Sequence, residues 1–513
     1  MKSRHRLIYF CSFLLFFGSC QDKPVHPFQD LSIEQFDQLR ENRYVLNNKK
    51  IRFYIDSLRL IKRDTSYIDL QTNYYYAGRN PYLWINRCGI DARCDSVIKA
   101  IEKLTKIGFK KQTFHLNTLK KDLQRIRQLD FDESHNINFV MARIEYYMTK
   151  AYMRYASGQR FGFVNPRKLF NNLDNERIDS INSHYRVLYD IGTKTAGKAF
   201  VKTALQCINN DSLYEFLSQV QPTDQRYELL EQAYLKPSTT KAQQNTLFAN
   251  MERLRWRIPQ PNSEKYVVVN LPSFELQAVD KSKDSSLRMR ICCGQKRHKT
   301  PLLISKMQYV EFNPYWIVPQ SIVRKEIAPR HAQNANYFER NRMKIIDKKN
   351  GEELNPEMVT ASMLCSGNYR IRQEKGEGNS LGRMIFRFPN NFSIYLHDTD
   401  NKEAFKRSWR SLSHGCIRVE KPLDLAIFLF HEKNPYLIDR IRIAIDLPPY
   451  TEEGKKLINK EGYKNIGSQR FQPAIPIYIT YFTAYLDTNN NRVSYYPDIY
   501  GYDSVLLEKI KRY

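Results

Sequence analysis

The chain has 513 residues, a formal net charge of +27, 34 Tyr and 28 Phe. That length builds two or three domains with sizeable cores, and the aromatic content argues for a folded protein. No segment after the N-terminus is long and apolar enough to span a bilayer, and the dispersed basic residues show neither zinc-finger spacing nor a basic helix with heptads, so they read as a solvated surface suited to anionic surroundings and point to no nucleic-acid partner.

In chain order, Lys2, Arg4 and Arg6 precede a short apolar run, Leu7 to Phe17, and then Gly18-Ser19-Cys20. This is the pattern of a secretory signal over residues 1–19. The Gly-Ser-Cys ending resembles a bacterial lipobox, which makes Cys20 the lipidation site and a lipid anchor the expected membrane attachment. The location expected from this is the bacterial periplasm. Export makes disulfides chemically possible. Cys88 and Cys94 are close enough to pair, whereas Cys207, Cys292, Cys293 and Cys365 read as small buried hydrophobes. Adjacent Cys292 and Cys293 in a strand point to opposite faces, which disfavours a shared metal.

Residues 20–260 read as a helical domain. Val140, Ile144, Tyr147, Met148, Ala151 and Tyr155 recur at helical spacing over 138–156, and Gly158 is placed to end that helix. A second helix is expected over 213–220, broken by Pro222. Asp224 then caps a third that carries Tyr227, Leu230 and Tyr234.

Pro259-Gln260-Pro261-Asn262 is a linker, and 264–513 reads as a mostly β domain, an α+β chain overall. Strands are expected at 266–269, 274–278, 288–292, 303–312, 384–388 and 393–396. A polar helical or irregular insertion over 321–360 has the character of a lid. Alternation from Ile477 to Tyr485, the Asn489-Asn490-Asn491 turn and Val493 to Tyr495 predict a C-terminal β-hairpin within 475–503. Asp487-x-Asn489-x-Asn491 is rejected as a calcium loop, because position six is Arg492 rather than Gly and position twelve is Asp498 rather than Glu.

Chemistry concentrates in Ser411-Leu-Ser-His-Gly-Cys-Ile-Arg418 and, before it, Tyr395-Leu-His-Asp398. A thiol needs a base or a positive neighbour to become a nucleophile. His397 is a candidate base for Cys416, and His414 and Arg418 stand two residues to either side. Gly415 lets the backbone approach a carbonyl, and amides around His414 to Cys416 are candidate oxyanion donors, worth about 3–4 kcal/mol each. Residue types alone leave a catalytic thiol and a buried structural thiol open. A zinc site lacks a fourth ligand at recognisable spacing.

His397, fifteen intervening residues, then Ser413-His-Gly-Cys-Ile-Arg418 resembles the signature of the YkuD-type L,D-transpeptidases. Asn313-Pro-Tyr-Trp-Ile-Val-Pro319, Leu381-Gly-Arg383, Tyr395-Leu-His-Asp398 and Asp498-Ile-Tyr-Gly501 resemble the large multi-domain periplasmic subgroup. The resemblance implies cysteine acyl transfer on peptidoglycan. Cys416 attacks the carbonyl after the meso-diaminopimelate of a tetrapeptide stem, D-Ala leaves with a proton from His397, and the thioester passes to an amine of a second stem as a 3→3 crosslink. It implies pocket roles for Ser413 and His414, carboxylate binding by Arg418 and Arg383, cleft lining by Tyr315 and Trp316, a capping subdomain over 321–360, acylation by carbapenems, and no metal or organic cofactor. The peptidoglycan-binding module common in that subgroup has no room between Tyr234 and Asn250. Two rivals stay open. One is a hydrolase on the same fold that uses water as acceptor. The other is a non-catalytic peptidoglycan-binding lipoprotein.

Overall fold

The computed structural model describes residues 44–61, 65–86, 89–177, 183–334, 336–431, 434–487 and 492–512. The signal segment, Cys20, Cys88 and the asparagine turn at 489–491 lie outside the described residues. A helical N-terminal region precedes a β-rich domain. The chain forms two compact units. One combines the described residues up to 103 with 111–154 and 201–215, and the other combines 104–110, 155–200 and 216–513.

The first unit is helical. In Asn48–Ile61 the apolar Ile51, Ile55 and Leu58 fall four and three residues apart and form its buried stripe. Ser66 caps Tyr67–Ala77 by accepting from the Asp69 amide. The carboxylate of Glu145, fully buried, accepts from the amides of Leu83 and Trp84 and from the Tyr76 hydroxyl at 2.7–2.9 Å. That satisfaction is what makes a buried acid tolerable here.

In the second unit a set of strands closes on itself. Let β1 be Tyr189–Asp190, β2 Lys265–Asn270, β3 Glu275–Asp280, β4 Ser285–Gly294, β5 Leu302–Phe312, β6 Met384–Arg387, β7 Leu396–His397, β8 Ser411–Ser413, β9 Ile417–Val419 and β10 Ser468–Thr480. The hydrogen-bonded order is β6-β7-β9-β4-β3-β2-β10-β5, and β5 pairs again with β6, so eight strands form a barrel without free edges. β1 adds parallel to β5, and β8 adds parallel to β4. Alternation drives closure. Val267, Val269, Leu276, Ala278, Met307, Ile477 and Ile479 are fully buried on paired strands. Each large aliphatic side chain among them contributes about 1.5–3 kcal/mol by leaving water.

Four expectations need correction. Gly158 does not end its helix, which runs Ile137–Phe161; a Cβ at 158 would lie 2.2 Å from the Phe163 ring, so this glycine makes room for packing. The compact units do not divide at 260. Helix Lys241–Arg255 is buried on all sides from Leu247 onward, with Asn250 bonded to Thr483 and Arg253 paired with Asp503 at 2.5 Å, which ties it to the barrel unit. The insertion is larger than 321–360 and is not merely helical or irregular. Strands Trp316–Ile317, Tyr369–Gln373, Met343–Asp347 and Glu353–Leu354 form a four-stranded antiparallel sheet with its own core of Val323, Ile327, Phe338, Ile345, Leu364 and Ile371. The C-terminal hairpin is only Ala484–Asp487 with Arg492–Tyr495, since residues 475–480 belong to β10, and helix Tyr502–Ile510 follows.

Helices Gln225–Leu235, capped by Asp224 as the sequence predicts, and Lys241–Arg255 are joined by residues 236–240 alone. No further module fits between them.

Candidate active site

The thiol sits on a chain reversal. β8 runs parallel to β4 and β9 antiparallel to it, so the chain turns back between Ser413 and Ile417. The turn needs Gly415, whose φ is +123°. Ser413 closes it, with its Oγ donating to the Cys416 carbonyl at 2.5 Å and accepting the Gly415 N–H at 3.1 Å. That last bond removes the Gly415 amide from the set of oxyanion donors and narrows the expectation to its neighbours.

Strand register assembles the rest. His397 pairs with Arg418, Arg418 with Cys292 and Ile385 with His397, and paired residues share a face. Tyr395 and Cys416 stand one residue before β7 and β9, and the Ile417 amide donates to the Tyr395 carbonyl at 3.1 Å. His397 is buried, and its Nδ1 meets the Asp398 carbonyl at 2.5 Å. A carbonyl only accepts, so Nδ1 carries the proton and Nε2 keeps its lone pair. Burial, then the charge of Arg418, holds the imidazole down to about 3. Burial likewise pushes the Cys416 thiol up to about 11, against the pull of Tyr395, Arg387 and Arg418. The thiol donates to the Ser393 carbonyl at 3.6 Å. The resting pair is therefore neutral thiol and neutral imidazole, with the base in the correct tautomer.

Tyr395 is the residue the sequence reading passed over. Its amide and its hydroxyl both favour the thiolate of Cys416, working against the burial of that thiol. Its ring meets the His397 ring edge-on at 5.7 Å and carries the Arg387 guanidinium at 4.9 Å. Burial and Cys416 raise its phenol, which stays a donor. Its position two before His397 was the available signal, by strand alternation.

Arg418 is half-buried and its Nε has no hydrogen-bond partner. Its guanidinium faces the Cys292 and Cys416 thiols rather than a carboxylate, which suits an incoming anion. Arg383 differs from expectation, because its guanidinium is taken up by Asp446 and by the Ile445 carbonyl at 2.9 Å. Trp316 packs into the core of the inserted sheet, and Tyr315, 41 % exposed, stacks under Arg372 and Lys375 at 4.7 and 4.6 Å. Both belong to the insertion.

His414 is bridged to the insertion. Its Nε2 pairs with Glu326, on a π-helical turn Val323–Ile327, and its ring lies 5.0 Å from that of His298. No sequence spacing signals this pair, 88 residues apart. Cys292 and Cys293 are buried, whereas Cys207 and Cys365 are only partly so. Among the described residues no three His, Cys, Asp or Glu side chains are grouped to hold a metal ion.

Residues 264–430 match the family model described as the YkuD L,D-transpeptidase catalytic domain, and residues 69–233 match that of the Scaffold domain. A curated relative from Haemophilus influenzae, named "Putative L,D-transpeptidase", is 29% identical over 303 residues, 58% of this chain and 57% of its own length. The chain thus spans little more than half of that relative. A solved L,D-transpeptidase from Mycobacterium smegmatis is similar at 10% identity over 42% of this chain and 58% of its own, with a TM-score of 0.20, too low to carry an argument.

Proposed function

For a chain that carries an L,D-transpeptidase catalytic domain of the YkuD family and a scaffold domain, we propose peptidoglycan crosslinking through a Cys416 thioester. The observation that carries the reading is the parallel pairing of Leu396-His397 with Ile417-Arg418, which sets His397 beside the strand that Cys416 enters.

The thiol and imidazole are both neutral at rest, so proton transfer accompanies attack. His397 Nε2 takes the Cys416 proton as Sγ bonds to the carbonyl carbon of the diaminopimelate in a tetrapeptide stem. The Cys416 amide faces the developing oxyanion, a donor worth about 3–4 kcal/mol. The C–N bond then breaks and D-Ala leaves with the proton from His397, giving the thioester. A side-chain amine of a second stem attacks the thioester, and thiol and imidazole return to their resting forms. Arg418 holds a substrate carboxylate, Ser413 holds the turn, and His414 flanks the entrance. Tyr395 donates to the sulfur as its charge grows. The same acylation by carbapenems follows from this chemistry.

The signal pattern and Cys20 support a lipid-anchored protein of the bacterial periplasm. A Cys20→Ser variant that keeps its membrane association refutes that part.

The test is incubation with purified muropeptides and mass spectrometry beside Cys416→Ala. Crosslinked dimers support the reading. Tripeptide monomers alone support hydrolysis, and products independent of Cys416 overturn it.

A further inference from the structure

We propose that Thr300, locked in place by Tyr500, is the positioning residue that aims the Cys416 amide at the oxyanion. The inference rests on the reading of Cys416 as the acylated nucleophile.

A peptide unit is planar, and its C=O and N–H point in opposite directions. Whatever pins the Gly415 carbonyl therefore pins the Cys416 N–H. The Thr300 hydroxyl donates to the Gly415 carbonyl at 2.7 Å. The direction of its single proton is forced, because the same oxygen accepts the Gly294 N–H at 2.9 Å. Thr300 is fully buried, so neither bond competes with bulk water.

The hydroxyl is itself held by a chain of donors. The Thr300 amide donates to Tyr500 Oη at 3.1 Å, and Tyr500 passes its proton to the Gly294 carbonyl at 2.8 Å. The Tyr500 amide donates to Tyr481 Oη at 2.9 Å, and Tyr481 donates to Asp498 at 2.6 Å. Every proton from Asp498 to Gly415 is assigned. This gives a task to the Asp498–Gly501 segment, which stands out in the sequence but supplies nothing to the thiol, the base or the carboxylate site.

The local backbone explains the need. Gly415 sits at φ +123° between a Ser413 bond on its N–H and the Thr300 bond on its C=O. Glycine resists rotation of its following peptide less than any other residue. With Thr300 absent, the Gly415–Cys416 plane is free to turn, and the amide loses its aim. Gly294 is required for the same closeness, since a Cβ there would lie 2.0 Å from the His298 carbonyl and 3.1 Å from the Gly415 Cα.

The experiment compares two reactions of Cys416 in the full chain. Iodoacetamide alkylates sulfur by displacing iodide and forms no oxyanion. An aryl acetate acylates sulfur through a tetrahedral oxyanion, with loss of the phenolate. Thr300→Val removes the hydroxyl at nearly constant shape, Thr300→Ser restores it, and Tyr500→Phe removes the support. Thr300→Val is expected to slow single-turnover acylation on the order of ten- to a hundred-fold while alkylation changes by less than about two-fold. Thr300→Ser recovers most of the rate, and Tyr500→Phe falls between. Equal loss in both reactions, or no loss in acylation, overturns the proposal. If Thr300→Val does not fold, Tyr500→Phe decides by the same comparison. A wild-type chain acylated no faster than Cys416→Ala refutes the nucleophile itself, and that result is distinct from any failure of Thr300.

Discussion

Replacing Tyr395 by Phe tests the electrostatics of the thiol most directly. The wild-type thiol is pushed up to about 11 by burial, and the Tyr395 hydroxyl is one of the groups pulling it back down. A hydrogen bond to a charged group is worth about 1.5–3 kcal/mol, so its loss raises the thiol by roughly one to two units. The thiolate share at fixed pH then falls about ten- to a hundred-fold. Part of that is recovered because a more basic thiolate is a better nucleophile, with a Brønsted coefficient of about 0.4–0.5. The net expectation is alkylation about three- to sixteen-fold slower in Tyr395→Phe. The assay is the second-order rate with iodoacetamide from pH 6 to 10. The neutral thiol is the favoured form below its raised value, so both rates should climb about ten-fold per pH unit in parallel lines. A wild-type rate that is flat from pH 6 to 8 would signal a preformed thiolate–imidazolium pair and refute the neutral resting state. A variant as fast as wild type would refute the role of the hydroxyl.

Further outcomes follow from the same geometry. Arg418→Lys keeps the charge but loses the fork, and should raise KM for a muropeptide donor about ten-fold through loss of one charged hydrogen bond of about 1.5 kcal/mol; an unchanged KM removes Arg418 from substrate binding. Arg383→Ala should leave KM within about two-fold and cost less than about 1 kcal/mol, as a partly exposed ion pair does, and a large KM increase would return Arg383 to the carboxylate site. Glu326→Gln deletes the charged partner of His414, and hydrogen exchange over Val323–Ile327 should quicken by up to about five-fold, the equivalent of 1 kcal/mol; unchanged protection shows that the pair does not hold the insertion. Gly294→Ala should lower the denaturant midpoint of the catalytic domain by the equivalent of about 1–3 kcal/mol, and a retained midpoint contradicts the close approach at His298.

Much of the fold is written in short-range pattern. The alternation at 266–278 predicts β2 and β3, where Val267 pairs with Ala278 and Val269 with Leu276. Asp224 announces its helix because capping is local. The spacing of His397 and Cys416 picks out a residue on β7 and one in the turn that enters its neighbour β9. What failed to show was whatever a partner decides. Gly158 reads as a terminator until Phe163 packs on it. Arg383 reads as a carboxylate binder until Asp446 claims it.

By itself, the sequence determined an α+β chain, most strands of the barrel though not β9, and the thiol, imidazole and guanidinium that its motif carries, because period and capping act within a few residues. Tertiary structure decided what those groups are worth. Burial set the thiol high and the imidazole low. Barrel closure delivered Thr300 to Gly415 across 115 residues and Tyr500 to Gly294 across 206. Neither effect has a local signature, since desolvation depends on everything packed around a group and a long-range hydrogen bond depends on which strands meet.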